Sequence, residues 1–144
     1  MEYQRVATGY QIRLERGEDV FEVLPRFCKE HNVSAAALSG LGAVKGITCG
    51  HYDLEKKKYI LQDYEELTEL INLTGNVSLK DGEPMLHIHA TFSDTTNNAF
   101  GGHVTRLVCG VTVEIHLIDH KDSLVREHDD FSGLHLLSLD ETYA

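Results

Sequence analysis

The sequence predicts an α+β fold in which mainly antiparallel β-sheets form a barrel-like core with one principal helix. Most apolar residues alternate with polar ones, as in strands buried on one face, and a single early segment has helical spacing instead. The predicted strands are joined mostly by short turns, which favours antiparallel neighbours. Long strands without cover would expose unpaired edges, so we expect the sheet to curve towards closure.

The first third of the chain contains the predicted helix. Strands are predicted at residues 6–8 and 10–15, the second because its apolar and polar side chains alternate. The helix is predicted to open at residues 17–19, where acidic side chains suit the positive end of the helix dipole. Asn32 is predicted to end it, since asparagine tolerates the left-handed backbone conformation.

The rest of the chain is predicted to be almost entirely β-structure. Six strands are expected, at residues 33–39, 47–53, 58–64, 68–77, 86–93 and 111–118. The first of them is predicted to end at the glycine-rich residues 40–43. The second and third form a predicted hairpin, and Asp81-Gly82 is the centre of the turn before the fifth.

Length and charge narrow the class of protein. With 144 residues the chain suits one domain, and we expect residues 1–144 to form it. Thirteen basic against 23 acidic residues give a net charge of −10. This balance disfavours DNA binding, which depends on clustered Lys and Arg, and the basic run at residues 56–58 is predicted to be an exposed hairpin tip. No segment approaches the roughly 18 apolar residues of a membrane span, so no membrane partner is expected.

The cysteines indicate a reducing compartment. Cys28, Cys49 and Cys109 are odd in number, far apart and without the Cys-x-x-Cys spacing of metal or redox motifs. We expect them to be buried, reduced thiols. Residues 1–5 lack the apolar core of a signal peptide. These features together predict a cytoplasmic protein.

The strongest chemical signal is the sequence His87-Ile88-His89, followed by Gly101-Gly102-His103. Side chains alternate on an extended strand, so His87 and His89 share one face with their backbones about 7 Å apart. With His103 as a third nitrogen ligand, a tetrahedral ion would keep one open position, as in catalytic rather than structural zinc sites. We therefore predict a metal site here, with zinc as the first choice and nickel, iron or copper as alternatives.

Other residues are candidates for the surroundings of this site. One set contains carboxylates able to orient a ligating imidazole: Glu83, Asp94 and Glu114. A second set offers polar groups to a reaction pocket: Arg13, Tyr52 and Glu66. Outside the motif, four histidines are predicted to be surface residues: His116, His120, His128 and His135. The glycine pair is expected to bring the backbone close to the ion or to turn sharply, with an ordinary loop as the alternative.

Four short motifs, in this order along the chain, resemble the PPC domain, a family named as plants and prokaryotes conserved. They lie at residues 40–44, 73–78, 81–90 and 101–104, and the resemblance spans roughly residues 6–118. It implies a compact α/β domain, a homotrimer with its contact near residues 68–77, and a metal site at the three histidines named above. The fold is also similar to the acetolactate decarboxylase group, where a three-histidine zinc site does chemistry.

Two functions follow from this resemblance, and the sequence leaves open whether the protein is an enzyme. The first is a homotrimeric metal-binding protein with a DNA-binding or regulatory role, the label that solitary prokaryotic members commonly carry. Plant members bind A·T-rich DNA through an Arg-Gly-Arg-Pro hook, and this chain has no such hook. The alternative is a small zinc-dependent lyase or hydrolase that takes a small-molecule ligand at the metal.

Overall fold

A computed structural model describes residues 1–141. Within them the elements are β1 Glu2–Val6, β2 Gly9–Leu14, α1 Val20–Glu30, β3 Ala36–Asp53, β4 Lys58–Tyr64, β5 Thr68–Lys80, β6 Glu83–Ser93, β7 Ala99–Asp119, β8 Val125–His128 and β9 His135–Ser138. The predicted class is confirmed, because this part of the chain is mainly antiparallel sheet with a single helix. No helix in the described range is both long and apolar enough to cross a membrane.

The strands form one sheet that curls into a partial ring. β3 pairs with both β5 and β7, and β6 pairs with the same two strands, so these four strands surround the core. β2 continues the sheet from β7, β1 pairs with β2, and β4 pairs with the second half of β3. The core is therefore barrel-like, as predicted, without being a true barrel.

The length of β3 and β7 is the largest correction to the predicted elements. β3 joins the predicted strands 33–39 and 47–53 into one strand that runs through residues 40–43, where a strand end was predicted. Register shifts show that β3 passes this region by bulges, which bend a strand without ending it. A Cβ atom at Gly42 would lie 2.2 Å from the carbonyl oxygen of Thr112, so the glycine serves close strand packing rather than a turn.

The strand boundaries of the first hairpin and of the late part of the chain also differ from the prediction. The prediction of a strand at residues 6–8 is wrong, because β1 ends at Val6 and the next two residues form the turn before Gly9. The strand predicted at residues 111–118 is only the end of β7, which begins at Ala99. β8 and β9 were not predicted. The basic hairpin tip at residues 56–58 is exposed as expected.

The helix follows the sequence signals closely. Asp19 is its N-cap, and the Asp19 carboxylate accepts a hydrogen bond of 2.8 Å from the backbone N–H of Phe21. Asn32 lies just beyond the helix with φ at +55°, the left-handed conformation predicted for it. The helix buries an apolar stripe that includes Leu24 and Phe27, and it packs against β6 and β7. It therefore supports the two strands that carry the predicted metal motif.

The alternation predicted for the histidine strand is confirmed in β6. Leu86, Ile88 and Ala90 are buried in the core. His87 and His89 lie between them in the chain and therefore point to the opposite face of the strand. The burial of one face thus determines which face displays the imidazoles.

Candidate metal centre

The three predicted histidines meet at one point of the structure. In the antiparallel pairing of β6 with β7, His89 lies directly opposite His103, and His87 follows on the same face of β6. The centroids of the three rings are 5.2, 5.3 and 5.3 Å apart, which makes an almost equilateral triangle. One nitrogen atom of each ring lies within 4.8 Å of the others.

This arrangement fits a metal ion. Nitrogen ligands of a tetrahedral zinc ion are about 3.4 Å apart, so the rings need only a small inward movement to bind one. The Nδ1 atom of His103 is buried and has no hydrogen-bond partner among residues 1–141. A buried, unpaired polar atom is costly, and a ligand at this nitrogen would remove the cost.

Two of the imidazoles, those of His87 and His103, are held in the neutral form that binds metals. Burial, followed by the charges of His87 and His89, lowers the pKa of His103 from 6.5 to about 4. Burial also lowers the pKa of His87, with smaller contributions from Arg126 and His89. Both side chains are therefore unprotonated at neutral pH, and their lone pairs are available to an ion.

The glycine pair before His103 permits close packing between strands. Gly101 and Gly102 lie inside β7, so the expected sharp turn and the alternative loop are both wrong. A Cβ atom at Gly101 would lie 2.1 Å from the carbonyl oxygen of Ala90, and one at Gly102 would lie 2.4 Å from that of Gly50. The two glycines therefore let β7 approach its neighbours on both sides, which keeps His103 close to β6.

Two tyrosines form an aromatic wall beside the histidines. The ring of Tyr59 stacks on His103, with centroids 4.3 Å apart and planes 17° from parallel. Tyr52 packs edge-on against Tyr59 and donates a hydrogen bond to the backbone carbonyl of Ser132. Of the polar candidates, Tyr52 thus lies nearest the cluster, with Tyr59 between it and His103. Burial raises the pKa of Tyr59, which keeps its phenol neutral.

Arg126 is the neighbour of the histidines that the sequence reasoning missed. It lies on β8, is only 8% exposed, and its Nη2 atom is 3.4 Å from Nδ1 of His87. The same Nη2 donates to the side-chain oxygen of Asn76 at 2.9 Å, and Nε donates to the hydroxyl of Ser78 at 2.8 Å. No sequence motif marks this arginine, which is far from His103 in the chain. Arg126 lies near the histidines because β8 pairs with β5.

The predicted carboxylates lie elsewhere in the described part of the chain. Glu83 pairs with Lys29 at 2.7 Å, and Asp94 accepts hydrogen bonds that close the turn at residues 94–98. Glu114 lies far along β7 from His103, where β7 pairs with β2 and Glu114 is opposite Arg13. The structure therefore brings none of the three beside the imidazoles, and the group in contact with His87 is a cation instead.

The remaining polar candidates also lie elsewhere. Arg13 forms an ion pair with Glu2 at 2.7 Å on the β1–β2 hairpin. The backbone carbonyl of Glu66 accepts a hydrogen bond from Thr68 at the start of β5. Three of the late histidines are exposed as predicted: His116, His120 and His128. His135 is half-buried instead, and its backbone carbonyl accepts a hydrogen bond of 3.0 Å from Nη1 of Arg126.

Comparison with known proteins gives both a family and close structural relatives. The sequence pattern of the Plants and Prokaryotes Conserved (PCC) domain matches residues 1–121. A plant- and prokaryote-conserved (PPC) protein from Pyrococcus horikoshii is 31% identical, with a TM-score of 0.86 over 98% of this chain and 97% of the other. No functionally curated protein matches this chain.

Two further solved structures carry names that bear on function. A metal-containing protein from Archaeoglobus fulgidus is 32% identical, with a TM-score of 0.84 over 96% of this chain and 97% of the other. A protein from Ralstonia eutropha JMP134 named "putative DNA-binding protein" is 30% identical, with a TM-score of 0.89 over 95% of each chain. The match to the domain pattern over most of the chain, together with these relatives, shows that the protein belongs to the Plants and Prokaryotes Conserved domain family.

Proposed function

We propose that this protein is a zinc-binding member of its family, in which His87, His89 and His103 hold one ion and leave one position open to a small molecule. The triangle of imidazole rings, 5.2 to 5.3 Å apart, carries this proposal. The name of the Archaeoglobus relative, a metal-containing protein, supports it. Neutral imidazoles favour zinc, with nickel, iron and copper as the alternatives.

The chain's own residues would shape what reaches the ion. When bound, zinc supplies Lewis acidity to the group that fills its open position. Tyr59 covers one side of His103 and holds the plane of that ring. Arg126 adds a buried positive charge next to His87. The site therefore combines three imidazole ligands, an aromatic wall and a cation.

The alternative is that the site works as a small zinc-dependent lyase or hydrolase. Such an enzyme needs a group that exchanges a proton with the substrate beside the ion. Tyr59 is the phenol that stacks on a ligand ring, whereas Glu83 and Asp94 are engaged elsewhere. The likeness to the acetolactate decarboxylase group stays a prediction, and we place metal and ligand binding ahead of catalysis.

The homotrimer implied by the family resemblance is part of the proposal. Aliphatic side chains that are more than half exposed occur on three adjacent strands, at Leu41 of β3, Ile71 of β5 and Val111 of β7. Burial of such side chains against other copies would stabilise an assembly. Ile71 belongs to the segment, residues 68–77, that the resemblance places near the contact between subunits.

The cellular compartment and the domain boundaries are also part of the proposal. Cys28, Cys49 and Cys109 are buried and form no disulfide, as predicted, and burial raises the pKa of Cys28 to about 12. Unreactive, reduced thiols suit a cytoplasmic protein, which is the location that we propose. We also treat residues 1–144 as a single domain.

Elemental analysis tests the metal proposal directly. We expect protein purified without chelator or nickel resin to contain one zinc per chain. His89→Ala should weaken zinc binding by more than about 100-fold, since even the loss of a group that merely orients a ligand costs 10–100-fold. His116→Ala removes an exposed histidine of β7 and is the matched control, with unchanged zinc content. Equal zinc in both variants would refute the site.

The lowered pKa of His103 predicts how the stability of the metal-free protein depends on pH. Well above pH 6.5, His103 is neutral in both the folded and the unfolded chain, so it contributes no pH dependence there. As the pH falls from about 6.5 to about 4, the unfolded chain takes up a proton that the folded chain does not, and the free energy of unfolding falls. Urea unfolding at pH 7 and pH 5 should show a smaller decrease in His103→Gln than in the wild type. His120→Gln is the control and should keep the wild-type decrease.

Mass measurement in solution tests the assembly. We expect three times the chain mass for the wild type, and a monomer for Ile71→Glu, because a buried, unpaired charge opposes association. Leu54→Glu, at an exposed turn, should remain trimeric. Dialysis against chelator then shows whether assembly needs the ion, and an unchanged trimer after complete metal loss would exclude an obligatory link.

DNA binding is the second candidate function, favoured by the name of the Ralstonia relative. The net charge of −10 opposes it, since affinity for DNA comes largely from cations placed on phosphates. We expect fluorescence anisotropy with labelled duplex DNA to show no binding at about 50–200 mM salt. Proteins that contact DNA phosphates lose affinity steeply over roughly this range. Binding that weakens steeply with added salt would establish the DNA role instead.

A further inference from the structure

Arg126 is a buried cation whose charge is not balanced by an acid. The side chain is 8% exposed, yet it forms no salt bridge with any carboxylate of residues 1–141. Its acceptors are the neutral oxygens of Ser78, Asn76 and His135, together with a ring nitrogen of His87. A buried charge without a counter-ion costs free energy, so an anion at this place would be stabilising.

An open cleft reaches the partners of this arginine. It has a volume of about 250 Å³ and is lined by Thr74, Gly75, Asn76, His87 and His89. Asn76 and His87 are the two residues that Nη2 of Arg126 contacts. A small molecule in the cleft would therefore lie beside two of the three histidines and next to Asn76 and His87, which the guanidinium contacts.

The contact between Arg126 and His87 cannot persist once an ion is bound. A neutral imidazole offers one lone pair, because its other nitrogen carries the proton, and a guanidinium can only donate. Because Nη2 of Arg126 can only donate, its contact with Nδ1 of His87 requires the tautomer whose lone pair is on Nδ1. An ion bound at Nδ1 would use the same lone pair, and an ion bound at Nε2 would leave the proton on Nδ1. In both cases Nη2 loses an acceptor and keeps an N–H free next to His87.

We propose that Arg126 and the open position of the three-histidine centre together bind a small carboxylate, with one oxygen at the ion and the other accepting a hydrogen bond from Nη2. This inference rests on the metal-binding function proposed above. Hydrogen bonds between a guanidinium and a carboxylate are charge-assisted and stronger than those between neutral groups. The anion would replace His87 as acceptor and would also balance the charge of the ion and the arginine.

A carboxylate suits this place better than a phosphate. One guanidinium nitrogen, already shared with Asn76, supplies a single donor, whereas a phosphate group has several oxygens that need partners. The side-chain oxygen of Asn76 accepts from Arg126, so only the amide N–H groups of Asn76 could donate to an anion. The polar lining of the cleft is otherwise Thr74, next to the ligand rings.

Cobalt(II) and acetate are the probes that test the proposal. The protein is loaded with cobalt, whose visible absorption reports its ligands, and is titrated separately with acetate, inorganic phosphate and imidazole. Imidazole is neutral and needs only the open position, so its affinity reports the metal centre alone. We expect acetate to bind more tightly than phosphate, and to change the spectrum as imidazole does.

Two variants separate the arginine from the metal. In Arg126→Gln the cation is removed, and in Asn76→Asp a carboxylate of almost the same shape neutralises it. Each should weaken acetate binding by about tenfold or more, the value of a charged hydrogen bond, while imidazole affinity stays within about twofold. Arg5→Gln removes an exposed charge from β1 and should match the wild type for both ligands.

The outcomes distinguish this inference from the function on which it rests. Failure of the wild type to bind one cobalt per chain would refute the metal site and, with it, the carboxylate site. Normal cobalt and imidazole binding, with acetate affinity unchanged in both variants, would overturn only the role of Arg126. Tighter binding of phosphate than of acetate would overturn the assignment of a carboxylate. Asn76→Asp keeps the test valid if Arg126→Gln does not fold.

Discussion

The antiparallel register between β6 and β7 is the constraint on which the candidate site depends. His89 faces His103 across this pair, and the next pair along, Ile88 with Val104, is buried in the core. A slip of one residue would turn His103 into the core and expose Val104. The hydrophobic packing of one face therefore determines the geometry of the imidazoles on the other.

Close approach of backbones is the second requirement of this architecture. The partial ring brings β7 against β6 on one side and against β3 on the other. Side chains at Gly101 and Gly102 would collide with carbonyl oxygens of these neighbours, and Gly42 permits the same closeness between β3 and β7. Bulges in β3 then let one long strand bend around the core. The glycines that look like loop signals are thus part of the sheet.

The electrostatics of the site contrast with those of the whole chain. The protein has a net charge of −10, but burial favours the neutral forms of His87 and His103, and Arg126 beside His87 is a cation. Arg126 therefore places one buried positive charge beside His87, which lines the cleft. Nucleic acids are bound by extended basic surfaces, whereas a confined cation beside a metal centre suits a small anion. This contrast is why we favour a small-molecule ligand over DNA.

The sequence by itself determined the fold class, the helix with its caps, and the three histidines, because these depend on local periodicity and on residue chemistry. The alternation in β6 alone places His87 and His89 on one face. Tertiary structure decided what surrounds them. Arg126 reaches the site because β8 pairs with β5, and Glu83, a local neighbour of the motif, pairs with Lys29 instead. Contacts between residues distant in the chain depend on how strands pair, and no local pattern encodes that pairing.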